Sequence, residues 1–291
     1  MKYEAIEQNE SGQPVSRQCK VLEVSESGYY AWRKRPSSER EKENDSLKVK
    51  IYSAWKHNRG VYGALRIQDA LKDDGLAVGR HRVARLMRTL GIQGKMLRKR
   101  RPQTTKSDPE HVVAPNVLNR QFQAEGCDQV WLTDITYIDT DEGYLYLASV
   151  LDMFSRRIVG MAMADHLRTE LVESALNMAL YQRQPDADLL HHSDRGSQYT
   201  SDAYRTRLND AEFIVSMSRS GSCLDNAPME SFWATLKREC ANGPFASHAQ
   251  ARSAIFSYVM GFYNQQRKHS ALGYLSPAAF EQEKRETCRL N

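Results

Sequence analysis

Apolar residues recur at helical spacing through the first third of the chain and at strand spacing beyond it. Val15 to Leu22 reads as a helix, a turn follows around Val24-Ser25, and Gly28 to Arg35 carries Tyr29, Tyr30 and Trp32. Two short helices across a tight turn fit either a small helix-turn-helix or a plain hairpin with its aromatics packed inward. Pro36 to Asp45 is polar and charged, as in a linker or a solvated helix start. Leu47, Ile51, Ala54 and Trp55 then keep one helical face until Asn58-Arg-Gly60. Ala64, Ile67 and Leu71 continue the pattern, with Gly75 as a C-terminal stop. Val83, Leu86, Met87 and Leu90 line one side of a further helix, and Arg82, Arg85 and Arg88 fan out opposite.

Lys95 to His111 is basic, holds Pro102 and Pro109, and has no apolar period. After it the pattern changes. Gln129 to Ile138, Tyr144 to Leu151 and Arg157 to Ala164 read as three strands, with Asp139 to Gly143 as a turn, and together as a meander. Thr169 to Gln182 is helical, 188–192 a short buried strand, 201–209 helical and 213–217 a strand. Asn226 to Cys240 and His248 to Tyr263 follow as helices, and Ser276-Pro277 caps a last short one. This order predicts a mixed α/β sheet with flanking helices, preceded by an all-α region.

Composition narrows the class. Of 291 residues, 41% are hydrophobic and 26% charged, as in a soluble globular protein. No apolar run approaches the roughly 18 to 20 residues of a membrane span. Met1 to Gln13 lacks the apolar stretch of a signal peptide, which points to the cytoplasm. The five cysteines are scattered, odd in number and never spaced C-x-x-C, against a disulfide framework or a Cys/His zinc site. The net charge of +5 is modest, but ten basic residues and no acidic one lie between Arg80 and Lys106. They are Arg80, Arg82, Arg85, Arg88, Lys95, Arg98, Lys99, Arg100, Arg101 and Lys106. A solvated face gives such a run too, but one this one-sided suits phosphate contacts.

Three carboxylates stand out. Positions 130, 132, 134, 136 and 138 share one strand face, and Asp134 interrupts it among Val, Leu, Thr and Ile. An unpaired carboxylate there costs several kcal/mol or stays protonated, unless a cation or backbone N–H groups satisfy it. Asp194 follows the short buried strand and precedes Arg195-Gly196, at a strand's carboxyl end where ligands collect in open α/β sheets. Gly196 would let a substrate backbone approach closely. His191 and His192 read as packing residues rather than ligands. Glu230 lies early in a helix capped by Asp225 or Asn226, with Met229, Phe232, Trp233, Leu236 and Cys240 as core face. Glu230, Ala234 and Lys237 share a separate stripe. Between Asp194 and Glu230 there are 35 residues. Carboxylates held together repel, and a hard divalent cation between them removes the penalty.

These residues sit in Trp131-Leu-Thr-Asp134-Ile-Thr-Tyr137, in His192-Ser-Asp194-Arg-Gly-Ser-Gln-Tyr-Thr-Ser201 and in Asp225-Asn-Ala-Pro-Met-Glu230-Ser-Phe-Trp. With Tyr263-Asn-Gln-Gln-Arg267, His269, Leu272-Gly273, Ser27 to Trp32 and Tyr62-Gly63, they give the chain a resemblance, over nearly its whole length, to the DDE transposases and integrases. Within that group it is similar to the second reading frame of bacterial insertion sequences of the third family. The resemblance implies a ribonuclease-H-like core, Asp134, Asp194 and Glu230 as catalytic and metal-binding residues, and two Mg²⁺ or Mn²⁺ ions. It also implies Lys237 against DNA, phosphoryl transfer without a covalent enzyme intermediate, and a homo-oligomer on DNA. In such families the active enzyme is commonly a fusion with an upstream-frame product; this chain has no sustained leucine heptad. The expected organisation is a short helical region at 1–44 that holds the helix-turn-helix candidate, a DNA-binding helical domain at 45–94, a basic linker at 95–111 and the catalytic core at 112–291. Arg82, Arg85, Arg88, Arg98, Lys99, Arg100 and Arg101 are its candidate DNA contacts. A nuclease without strand transfer and a catalytically silent DNA-binding regulator are the competing readings. The second is disfavoured because all three acidic residues are present.

Overall fold

The structure, a computed structural model, describes residues 2–8, 12–36, 38–95, 114–219 and 223–290. Three short helices come first: α1 (Lys2–Gln8), α2 (Val15–Val21) and α3 (Glu26–Lys34). They enclose a small core of their own, Ile6, Cys19 and Tyr29, with Tyr3 and Trp32 packed against it. The aromatics of α3 therefore turn inward, apart from the exposed Tyr30.

The helix α4 (Glu39–His57) begins inside the charged stretch. Ser38 Oγ accepts the Glu41 N–H at 3.3 Å and the Glu41 carboxylate accepts the Ser38 N–H at 2.7 Å, a reciprocal cap that makes this stretch a helix start and not a linker. It packs with α5 (Ala64–Asp73) and α6 (Arg80–Thr89) through Leu47, Ile51, Ile67, Leu71, Val83, Leu86 and Met87. The same apolar cluster continues into the C-terminal part of the chain. There the Tyr62 hydroxyl accepts the Lys268 N–H at 2.9 Å, and Arg66 donates to the Lys268 carbonyl at 3.0 Å.

The sheet comprises β1 (Val130–Thr140), β2 (Gly143–Asp152), β3 (Ile158–Ala164), β4 (Leu190–Ser193) and β5 (Ile214–Met217) in the order β3-β2-β1-β4-β5. The first three form an antiparallel meander, and β4 and β5 add in parallel beyond β1. The central strand is covered on both faces: Leu132 and Ile138 join one core, Trp131 and Ile135 the other. The second core lies under α7 (Thr169–Arg183). Gly160 on β3 permits that approach, because a Cβ there would stand 2.2 Å from the Ala175 carbonyl. Two helices, α8 (Ser197–Thr200) and α9 (Asp202–Asp210), connect β4 to β5. This is the ribonuclease-H-like mixed sheet with flanking helices that the motifs imply.

On the opposite face a 3-10 turn (Cys223–Asn226) leads into α10 (Ala227–Glu239), which packs across β1. The helix read as 248–263 is α11 (His248–Phe256) followed by a π-helical segment (Ser257–Tyr263). The π-helical segment buries Tyr258, Val259, Phe262 and Tyr263 in the core. The Asn264 amide then pairs with the backbone of Ile158, accepting its N–H at 3.0 Å and donating to its carbonyl at 2.9 Å. The last helix, α12 (Pro277–Leu290), runs 14 residues and is not short. The Ser276 hydroxyl does cap it, accepting the Ala279 N–H at 3.2 Å. Among the described residues, no helix is long and apolar enough to cross a membrane.

Candidate active site

Asp134 projects from the central strand, opposite Ser149 of β2. One carboxylate oxygen accepts the Ile135 N–H at 2.8 Å, the other the Trp233 indole N–H at 3.0 Å. Burial pushes this carboxyl up to about 7, the charges of Asp194 and Glu230 add to the rise, and the two N–H groups oppose it. Asp194 follows β4 directly, and its Oδ1 accepts the Gly196 N–H at 2.9 Å. Burial raises its carboxyl as well. Gly196 is buried, and a Cβ there would stand 3.0 Å from Asp194 Oδ1, so the missing side chain makes room for this carboxylate and not for a substrate.

Glu230 is exposed in the first turn of α10. Seven residues on, the Lys237 ammonium lies over the Tyr137 ring of β1, 4.4 Å from its centroid. Met229, Phe232, Trp233 and Leu236 bury the other side of the helix. Its start is tied to β1 by Asn226, whose side-chain amide donates to the Thr133 carbonyl at 3.0 Å. Asn226 is the residue before the helix and makes no side-chain capping bond. Its side chain and that of Asp225 are drawn to distant partners, Asp225 to Arg120 and Arg219. At the far end Glu239 is buried against Arg267, with guanidinium bonds of 2.8 Å to each oxygen. His191 meets the Tyr204 hydroxyl at 3.0 Å, and His192 meets Ser216 and Ser218 at 2.9 and 3.0 Å. Burial depresses both imidazoles, to about 3 and about 4, so they remain neutral packing residues.

Among the described residues, the three acidic or thiol groups whose ligand atoms all fall within 4.8 Å are Cys127, Asp152 and Glu281, and Asp134, Asp194 and Glu230 are not drawn together that tightly. The Cys127 cluster already has its cation: Arg183 reaches Glu281 at 2.6 Å and Asp128 at 2.9 Å, and Arg157 reaches Glu281 at 2.7 Å. Burial also pushes the Cys127 thiol up to about 11, which keeps it protonated.

The candidate DNA contacts divide. Arg85 and Arg88 are exposed on α6. Arg82 instead turns back to α4, bonding Glu43 and Asn44 at 2.9 Å each. Lys95 donates to the Glu239 carbonyl at the end of α10 at 2.8 Å. Arg98, Lys99, Arg100 and Arg101 lie outside the described residues. The Trp233–Asp134 bond escapes sequence reasoning: the helical period marks Trp233 as core but not where its indole N–H points.

Comparisons with known proteins agree with this architecture. Residues 124–223 and 213–277 match the family described as "Integrase core domain", and residues 42–100 match "HTH-like domain". The chain is 46% identical over 265 residues to an insertion element IS600 uncharacterized 31 kDa protein of Shigella sonnei, covering 91% of this chain and 97% of that one. It is 37% identical over 284 residues to the transposase InsF for insertion sequence IS3A of Escherichia coli strain K12, covering 97% and 98%. Among solved structures it resembles a chain of a simian T-cell lymphotropic virus intasome at TM-score 0.45 and 12% identity, over 60% of this chain and 61% of that one. It also resembles an HTLV-2 integrase catalytic core domain in complex with magnesium at 0.40 and 14%, over 55% and 99%. The molecule is thus of the integrase class, a polynucleotidyl transferase acting on DNA. The chain belongs to the IS3 family of insertion-sequence transposases, which move DNA by strand cleavage and strand transfer.

Proposed function

We propose that Asp134, Asp194 and Glu230 are the catalytic carboxylates of this transposase and that together they hold divalent cations of the Mg²⁺ or Mn²⁺ kind, two per site. The observation that carries the reading is positional. One carboxylate stands on the central strand, one at the carboxyl end of the adjoining parallel strand, and one on the first turn of the helix whose Trp233 bonds the first. The donor set suits a hard cation: it is all carboxylate oxygen, and each Asp134 oxygen has a single protein N–H, leaving a lone pair to spare. When bound, such cations supply charge neutralisation and activation of a hydroxyl nucleophile.

The chain's own groups supply orientation. Ile135, Trp233 and Gly196 fix two carboxylates, and α10 carries the third at the mouth of the site. Lys237, held over Tyr137, faces the phosphate backbone. Water attacks a phosphodiester at the element's end and frees a 3′-OH, which attacks a second phosphodiester in the target and expels a new 3′-oxygen. Residues 45–94 bind and orient DNA, with Arg85 and Arg88 on the exposed side of α6. The basic stretch 95–111, with Arg98, Lys99, Arg100 and Arg101, lies outside the described residues beyond Lys95 and precedes a core at 112–291, and the region 1–44 ends inside α4 (Glu39–His57), which it shares with the DNA-binding helices. An element has two ends, each needing a site, so the working unit is a homo-oligomer on DNA, with an upstream-frame product or fusion as further partner. Incubation with a labelled element end, a target plasmid and Mg²⁺ tests this. Joined product is expected, and Asp134→Asn, Asp194→Asn and Glu230→Gln should each abolish cleavage and joining while leaving DNA binding. Near-normal cleavage by any of the three removes that residue from the site, and nicks without joining would make the protein a nuclease.

A further inference from the structure

We propose that Ser149 is a positioning residue of the active site: its hydroxyl donates to the Asp134 carboxylate from the β2 side and holds it for a divalent cation. The inference rests on the reading of Asp134 as a metal-holding carboxylate. Two observations carry it. Ser149 is 1% exposed, and its Oγ has no hydrogen-bond partner among the described residues. It also stands directly opposite Asp134 in the antiparallel pairing of β1 with β2.

A buried hydroxyl without a partner forfeits the hydrogen bonds that water would give it. Alanine at this place would avoid that cost, so the hydroxyl calls for a use. Its surroundings narrow what the use is. Leu147 and Leu151 share its face of β2, and Met161 stands opposite on β3. All three belong to the apolar cluster that also holds Met229, Phe232 and Leu236 of α10. The diagonal positions on β1 are Leu132 and Thr136, and the charged side chain directly across is Asp134. Opposed side chains in such a pair have Cβ atoms about 4.5–5.5 Å apart, a gap that a hydroxyl and a carboxylate can close. The carboxylate also has capacity left. It offers about four lone-pair sites. The Ile135 N–H at 2.8 Å and the Trp233 N–H at 3.0 Å take two. A third donor from β2 still leaves room for a cation. Ile135 then holds Asp134 from its own strand, Trp233 from α10 and Ser149 from the neighbouring strand. Hydrogen bonds to an ionised acceptor are the strong ones, so this bond is worth most in the charged form that a cation requires.

A hydroxyl merely stranded among leucines would occupy the same place, and the test separates the two. Mn²⁺ is titrated into the full-length protein and free Mn²⁺ is read by electron paramagnetic resonance, with thermal melting in EDTA in parallel. Ser149→Ala should weaken Mn²⁺ binding about tenfold or more, as loss of an outer partner of a metal-holding group does. In EDTA it should melt at or above the parent's temperature, because it removes a buried hydroxyl that lacked a partner. Ser149→Thr keeps the hydroxyl and should bind Mn²⁺ closer to the parent than Ser149→Ala does. Parent-like Mn²⁺ affinity in Ser149→Ala overturns the proposal, whatever its melting temperature. Equal weakening in the alanine and threonine variants assigns the effect to packing and overturns it as well. Asp134→Asn tests the underlying reading separately, and its Mn²⁺ binding should be lost. Binding retained there overturns the metal role of Asp134. Binding lost there but unchanged in Ser149→Ala overturns the role of Ser149 alone.

Discussion

Arg267→Met should be among the most damaging single substitutions outside the site. Arg267 and Glu239 are 2% and 4% exposed, and two guanidinium bonds of 2.8 Å join them. Methionine fills much of the stem volume but leaves the Glu239 charge buried. Breaking such a pair from one side costs about 3–5 kcal/mol. Glu239 keeps the Tyr258 hydroxyl at 2.7 Å and Arg238 at 3.1 Å, which places the loss near about 3 kcal/mol. That corresponds to a fall of roughly 6–12 °C in melting temperature for a unit of this size. Turnover should fall as well, because the pair fixes one end of the helix that carries Glu230 at the other. Acidity provides an internal check. In the parent, burial raises the Glu239 carboxyl, but the bonds and charge of Arg267, the Tyr258 hydroxyl and the Arg238 charge together hold it below the ordinary 4.5. A lowered carboxylate stabilises above its unfolded pKa and loses that contribution as pH falls through the folded one, so acid below about pH 4.5 weakens the parent. Without Arg267, burial prevails and the slope reverses: the variant should lose less in acid, and the gap should narrow. Adding Glu239→Gln to Arg267→Met removes the stranded charge and should recover about 1 kcal/mol or more. Thermal melting of the three variants at pH 4 and pH 7.5 decides it. A melting temperature for Arg267→Met within a degree of the parent, or a double variant weaker than the single, refutes the argument.

Other outcomes follow from the site and from α6. In EDTA, the raised Asp134 carboxyl should contribute stability that is full below pH 3.8 and is lost as pH rises to about 7; Asp134→Asn should flatten this slope in urea melts, and a parent curve no steeper than the variant's counts against the placement of this group. Mg²⁺ or Mn²⁺ should support joining, while Ca²⁺, which tolerates looser geometry, should support little; joining undiminished in excess EDTA would remove the metal mechanism. Arg85→Ala with Arg88→Ala should lower the salt slope of DNA binding by up to about 1.8, whereas Arg82→Ala should chiefly lower the melting temperature by removing the bonds to Glu43 and Asn44. Equal slopes for the two variants would show that the exposed and the tethered arginines do not differ in role.

What was legible in the chain depended on how far away the deciding partner lies. Helices at 45–90 and the three-strand meander announce themselves because each buries one face, and a face is a local period. Asp134 was legible for the same reason turned around: a carboxylate on a buried face has no local remedy, so its presence demands a chemical one. Asp225 shows the opposite case. Local rules make it a helix cap, yet Arg120, 105 positions earlier in the chain, and Arg219 take its carboxylate, because two charged donors outweigh one orphan N–H of a first turn. Arg82 reads as part of a cationic face, and only the packing of α6 on α4 turns it to Glu43 and away from solvent. Glu239 carries no signal in the sequence, because its partner Arg267 comes from beyond the π-helical segment, 28 positions on. Each miss involves an ionic group whose partner comes from another element, and two of these pairs hold the helix that carries Glu230. Asp225 holds the start of the Glu230 helix and Glu239 its end. The three proposed catalytic carboxylates could therefore be named from motifs, but the helix that carries Glu230 is held at both ends by arginines that no motif singled out for that role.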